Sequence, residues 1–297
     1  MAVGDTITAA RYNNIRARVA AVLGLGAGDE GYGQSVTSQT VVVGNTVTAQ
    51  DMVNLDTDLT KIRVHQTGSL PAEIAPPSVG DTIEDSNNAT KEGYAQYESL
   101  SITAQSSRLS VAPSQLGLES GITSTRTASW STSVTHDVTI TFSSQAHREA
   151  FFNAGGKINF NASRSGGSST NQNTDWTNML SAAGTVQMNH TQTTASSGTT
   201  SSIGSYDLTT SYQTIYEKAG SGAYSTNFWR IQGRADNATT LRFLLTFGDS
   251  HTGRGYFDSV DGTLESVVGQ ERPNSGTLPN GFEVTVATPT YTTNSDL

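Results

Sequence analysis

The sequence predicts a mainly β protein: a small N-terminal helical repeat region, then an antiparallel β-sandwich with two short helices and long polar loops. Three observations predict it. Apolar residues are 34% and charged residues 14% of the 297, against globular averages of roughly 45–50% and about 25%. Ser, Thr, Asn, Gln and Gly fill the gap, yet ten Tyr, nine Phe and three Trp are too many aromatics for a disordered chain. Several later segments alternate apolar and polar residues, and a short phrase recurs near the N-terminus.

The phrase is Val3-Gly4-Asp5-Thr6-Ile7-Thr8-Ala9, which returns as Val43-Gly44-Asn45-Thr46-Val47-Thr48-Ala49 and is echoed in Val79-Gly80-Asp81-Thr82-Ile83. The first two copies run into helical stripes. Thr8 is placed to cap one helix. Its stripe is Tyr12, Ile15, Val19, Val22 and Leu23, and Gly24 stops it. Thr48 with Asp51 forms a capping-box pattern for the other, whose stripe is Met52, Leu55, Leu59 and Ile62. Asn14 and Asn54 occupy equivalent positions. The two helices are free to pair with each other, with the β body or with another subunit. Tyr12, Ile15, Val19, Met52, Leu55, Leu59 and Ile62 are the candidate interface or core residues.

The Gly24–Gly33 loop is glycine-rich and expected to be mobile. Pro71, Pro76 and Pro77 mark a break. The expected domains are therefore 1–66, a duplicated turn-helix module for anchoring; 67–96, a linker; and 97–297, the sandwich. From Tyr97 onward the pattern reads as strand. Val134, His136, Val138, Ile140 and Phe142 share one face. So do Ile158, Phe160 and Ala162; Val186, Met188 and His190; Leu241, Phe243, Leu245 and Phe247; and Phe282, Val284 and Val286. Tyr206–Tyr216 and Phe228–Gln232 are weaker strand candidates. One short helix runs from a Ser144 cap to Ala154, with Gly155 after it. A second begins near Asp175 and ends near Gly184. Polar loops cover Ser165–Gln172 and Thr194–Ser202.

A net charge of −9 and a pI near 4.9 argue against nucleic acid as the main ligand and against anionic membranes. With no cysteine, disulfides and thiolate metal sites are excluded. The N-terminus lacks the pattern of a secretory leader, and no run approaches the ~18 apolar residues of a membrane helix. Synthesis in a cytoplasm is expected.

No reading of the chemistry reaches a catalytic, cofactor or metal site, so the chain is not expected to be an enzyme. None of the five histidines falls in a zinc-protease spacing, and His136 and His190 read as structural residues on strand faces. Asp249-Ser250-His251 holds the residue types of a hydrolytic triad, but neighbours in sequence do not converge as a triad must. Asp258, Asp261 and Gly262 invite a calcium reading, against which a glycine turn is favoured. No Walker-type loop is present. Asn161, Asn189 and Asn237 begin glycosylation sequons that are expected accidents of composition. Trp130, Trp176 and Trp229 stack on sugars or pack the core, with core packing favoured.

Several phrases resemble a virion structural protein of T4-like cyanophages and related marine myophages. They are the opening Met1 to Asn13, Gly121-Ile122-Thr123-Ser124-Thr125-Arg126, His147 to Gly156, Thr174 to Leu180, Gly204 to Tyr212 and Val284 to Tyr291. The resemblance implies a particle component without enzymatic activity and without defined ligand residues. The expected function is thus a multimeric, tail-associated virion part assembling through its N-terminal repeats. Its expected partners are copies of itself and other phage structural proteins. The alternatives are a module binding host-surface glycan and a head-surface decoration protein.

Overall fold

The structure, a computed structural model, describes residues 8–70, 76–78, 80, 81, 83, 85, 93–251, 259–274 and 282–297. Most of the first repeat phrase, Val79 and Thr82 of its echo, Pro71 and Asp258 lie outside these. The chain divides into two units. The first comprises Met1–Gly117, Ala146–Gly155 and Arg272–Ala287; the second comprises Leu118–Gln145, Gly156–Glu271 and Thr288–Leu297.

The first unit is helical. Thr8 accepts from Arg11 N–H at the start of α1, Ala9–Leu23. Thr48 and Asp51 complete the expected capping box at the start of α2, Ala49–Thr67, and Gly68 ends it at φ 79°. A third helix, α3 (Tyr94–Ser106), packs on both. This corrects the expectation of linker and then strand here. Tyr94, Tyr97, Leu100, Ser101 and Ala104 are its buried residues, and their spacing of three and four is that of a helix face. The first unit runs on through Gly117. A fourth helix, α4 (Gln145–Asn153), joins it from Ala146, and Gly155 follows at φ 85° as expected.

The Gly24–Gly33 loop is tied down. Ala27 and Glu30 exchange backbone hydrogen bonds of 2.8 and 3.2 Å, and Asn153 Nδ2 donates to Gly28, Glu30 and Gly31 carbonyls. Tyr32 is enclosed, and its hydroxyl donates to Arg108 O at 2.7 Å. Gly31 sits at φ 89°, and a β-carbon there would collide with the Leu25 carbonyl, so no other residue fits.

The second unit is an antiparallel β-sandwich. One sheet has the order β1 (Leu116–Arg126), β10 (Thr263–Pro273), β3 (Lys157–Ser165), β4 (Val186–Met188) and β5 (Thr193–Thr194). The other has β11 (Thr290–Ser295), β2 (Ser133–Thr141), β9 (Thr240–Gly248), β8 (Phe228–Asn237), β7 (Gln213–Ala219) and β6 (Thr199–Thr200). The expected alternation holds: Val134, His136, Val138 and Ile140 are buried on β2, and Leu241, Phe243, Leu245 and Phe247 on β9. The sheets meet where Phe160 of β3 packs edge-on against Phe243, their rings 5.0 Å apart. Helix α5 (Asn171–Ala183) lies against β3. It begins before the expected Asp175 because Thr170 caps it, accepting from Asn173 N–H at 3.2 Å.

Three strand expectations are corrected. Phe282–Val286 is not a strand: Val284 and Val286 are buried, but burial came without a ladder, and Val286 N–H reaches only Pro273 O at 3.3 Å. His190 does not extend β4, because Asn189 Oδ1 accepts from the N–H groups of Thr191 and Gln192 and turns the chain. Tyr206–Tyr216 is strand only from Gln213, since the Gln213 side chain accepts from Thr209 N–H and closes a turn there.

Candidate interaction surface

The seven candidate interface residues are brought together, but inside the chain. Tyr12, Ile15, Val19, Met52, Leu55, Leu59 and Ile62 all have 0% exposure. Their stripes close against each other and against α3, which is the core arrangement that the reading held open beside an interface. The missed helix supplies the third face. Polar bonds fix the arrangement. Arg11 on α1 forks onto Glu98 of α3 at 3.0 and 2.7 Å and reaches Asp85 at 2.6 Å, holding both carboxylates below their usual range. Gln66 on α2 donates to Ala104 O on α3 at 2.7 Å, and Tyr12 Oη donates to Asp51 O at 3.1 Å.

Below these helices the chain after Gly33 runs extended over buried polar groups. Asp58, 2% exposed, accepts from Thr37 N–H, Ser38 N–H and the Ser38 hydroxyl at 2.7–3.0 Å. Asn13 meets Val41 as another backbone would, donating to its carbonyl and accepting from its N–H, both at 2.9 Å. Asp56 is pushed up to about 6 by burial, against which the Tyr97 hydroxyl works.

The histidines are structural where the structure buries them. His65 Nε2 lies 3.1 Å from Ala154 O, and burial lowers the ring to about 4. His136 Nδ1 lies 2.9 Å from Ser266 Oγ across the sandwich, and burial lowers it also to about 4. Both are neutral at pH 7 and locked in hydrogen bonds, which suits packing. His190, expected on an inward strand face, sits half-buried in a turn.

The acid candidates likewise serve as fasteners. Asp249 accepts from Gln172 Nε2 at 2.7 Å, while Ser250 and His251 each donate a backbone N–H to Asn227 Oδ1. That is a capped loop, as expected for Asp249-Ser250-His251. Asp261 accepts from the Ser168 hydroxyl and N–H, Asn173 Nδ2 and the buried Arg164 guanidinium, which together lower its carboxyl. Among the described residues no cluster of three or more His, Asp or Glu is placed to hold a metal ion. Trp130, Trp176 and Trp229 are at most 4% exposed. Trp130 packs edge-on against Trp176 at 5.9 Å, and Trp229 stacks on Phe247 at 6.1 Å, so none offers a face to a sugar.

What remains for binding is surface. An open cleft of about 350 Å³ lies beside α5, walled by Asn161, Ser163, Ser181, Thr185 and Glu265, with Thr185 donating to Asn161 at 2.7 Å. The two flanks of the sandwich differ more. At one, β5 and β6 are two residues each, and Thr193 N–H donates to Ser201 O at 3.2 Å. At the other, β1 and β11 end their sheets side by side. There the bridges run through side chains: Ser124 Oγ to Ser295 Oγ and Arg126 Nη1 to Asp296 O, both 2.8 Å. Sequence reasoning missed β1, β10 and β11. On β10 the buried face carries Ser266 and Gln270 among Leu264 and Val268, which hides the alternation.

No family model, curated protein or solved structure matches the chain. Among the described residues no helix is long and apolar enough to cross a membrane.

Proposed function

We propose that the chain is a non-catalytic bacteriophage virion structural protein, working in several copies as a tail-associated part of tail, baseplate, neck or fibre. The observation that carries this reading is the use to which its buried polar groups are put. Asp58, Asp249, His65, His136 and Arg164 each hold a loop, an extended segment or a facing strand. A protein that must keep one shape benefits from such fastening, and the phrases shared in resemblance with cyanophage virion proteins supply the setting. The helical repeats then serve as the filling of one unit, and contacts to neighbours fall to other surfaces. Burial of the three tryptophans removes the main support for the glycan-binding alternative.

Gold-labelled antibody against this chain, applied to purified and washed particles, is expected to decorate one tail substructure on every particle. Label on the capsid surface would shift the reading to head decoration. Absence of the chain from washed particles, by labelling and by mass spectrometry, would remove the structural role.

A further inference from the structure

A strand at the end of a sheet exposes a row of unpaired N–H and C=O groups. Natural sheets blunt such edges with very short strands, lysine, proline or bulges. The flank at β5 and β6 follows that rule, with two-residue strands tied by a backbone bond. Strand β1 on the opposite flank is 11 residues long and contains neither lysine nor proline. Its two charged side chains are turned back onto the same chain. Glu119 accepts from Gln270 Nε2 at 2.8 Å, and Arg126 donates to Ser129 O and Asp296 O. Leu118 is 74% exposed, and Ser120, Gly121, Thr123 and Thr125 are exposed with it.

We propose that β1 is a docking edge for a second copy of this chain. The partner adds its own β1 antiparallel, so the five-stranded sheet continues across a two-fold axis. The sequence favours one register. With Ser120 on the axis, Leu118 faces Ile122 of the partner subunit twice over, and Glu119 faces glycine, so apolar residues pair and no like charges oppose. A register with Glu119 on the axis would set two carboxylates directly opposite, which costs stability. Strand β11, on the same flank, carries only Tyr, Thr, Asn and Ser and adds no repelling charge. The partner surface deepens the structural role proposed above and depends on it for its biological setting.

The full chain has no cysteine, so one introduced thiol reports cleanly. Ser120→Cys is expected to form an intermolecular disulfide under mild oxidation, because residues facing across the axis bring their Cβ atoms within disulfide reach. Thr199→Cys on the opposite flank is expected to form no intermolecular disulfide, while keeping the reversible association of the unmodified chain. Sedimentation should show a monomer–dimer equilibrium in the unmodified chain. The double variant Leu118→Lys, Thr123→Lys, with both changes at exposed positions, should weaken it at least about tenfold without moving the thermal midpoint. Amides of 118–125 should gain exchange protection with concentration. A chain that stays monomeric at all concentrations, or a dimer indifferent to the lysines and not trapped at residue 120, overturns the proposal. Particles that contain a chain with no β1 pairing would sink this inference alone. A β1 dimer absent from particles would sink only the virion role.

Discussion

In the helical unit a carboxylate, Asp58, sits at 2% exposure beneath the backbone it holds, while in the sandwich the deepest layer is Phe160 on Phe243 and Trp229 on Phe247. In the sandwich the buried Arg164, near the end of β3, pins a loop through Asp261. The difference follows from the partners each element has. Strands satisfy their own backbone through ladders, so the space between sheets can be filled with apolar side chains. The extended chain after Gly33 has no ladder. Its N–H groups would be buried and unpaired, and Asp58 and Asn13 answer them.

The comparison can be broken most forcefully in the sandwich. Phe243→Ala should cost about 3–5 kcal/mol through cavity formation, read as loss of exchange protection in β2, β8 and β9. If protection in α1 and α2 falls equally, the two units do not hold their stability separately. Next comes Asp58→Ala, which orphans two backbone N–H groups and a hydroxyl and should cost about 3 kcal/mol, seen as faster exchange at Thr37 and Ser38. A neutral result would mean that the extended segment is held by something else.

Acid sharpens the contrast. His65 and His136, lowered to about 4, add stability that is complete above the ordinary histidine value near 6.5 and is lost as pH falls toward 4. Asp56, raised to about 6, acts in reverse: its contribution is complete below 3.8 and lost as pH rises through 6. Between about pH 7 and 4.5 the helical unit gains from Asp56 while it loses from His65, and the sandwich loses from His136. Exchange measured at both ends of that window should therefore weaken the sandwich more. Replacing Asp56 by Asn should make the helical unit lose stability with acid as well. The smallest effect belongs to the caps. Thr48→Ala, which breaks a reciprocal pair, should cost about 1 kcal/mol and more than Thr8→Ala, which breaks a single 3.2 Å bond. Circular dichroism melts of the two variants would order them.

Much of this was readable in advance because some signals are local. The caps at Thr8 and Thr48, the glycine after α4 and the alternation of β2 and β9 depend on neighbours in sequence, and each stands in the structure. The failures are tertiary. Two amphipathic stripes were visible without the third helix that covers them, because Tyr94 and Tyr97 lie in polar surroundings that resemble a strand. Phe282–Val286 has the right alternation, but only a neighbouring ladder makes a strand, and sequence does not say where one lies. Apolar side chains mark a binding surface in a sequence, whereas the edge proposed for β1 is backbone, which every residue carries alike.

The helical unit is assembled from three stretches of chain, the last of them Arg272–Ala287. During synthesis α1, α2 and α3 are made ahead of the sandwich strands, yet the unit they belong to lacks its final stretch until Arg272–Ala287 has followed. Sandwich strands up to β10 are made in the interval. Early emergence and late completion are thus properties of the same unit, and any release of unfinished chains would leave its first helices without their full cover.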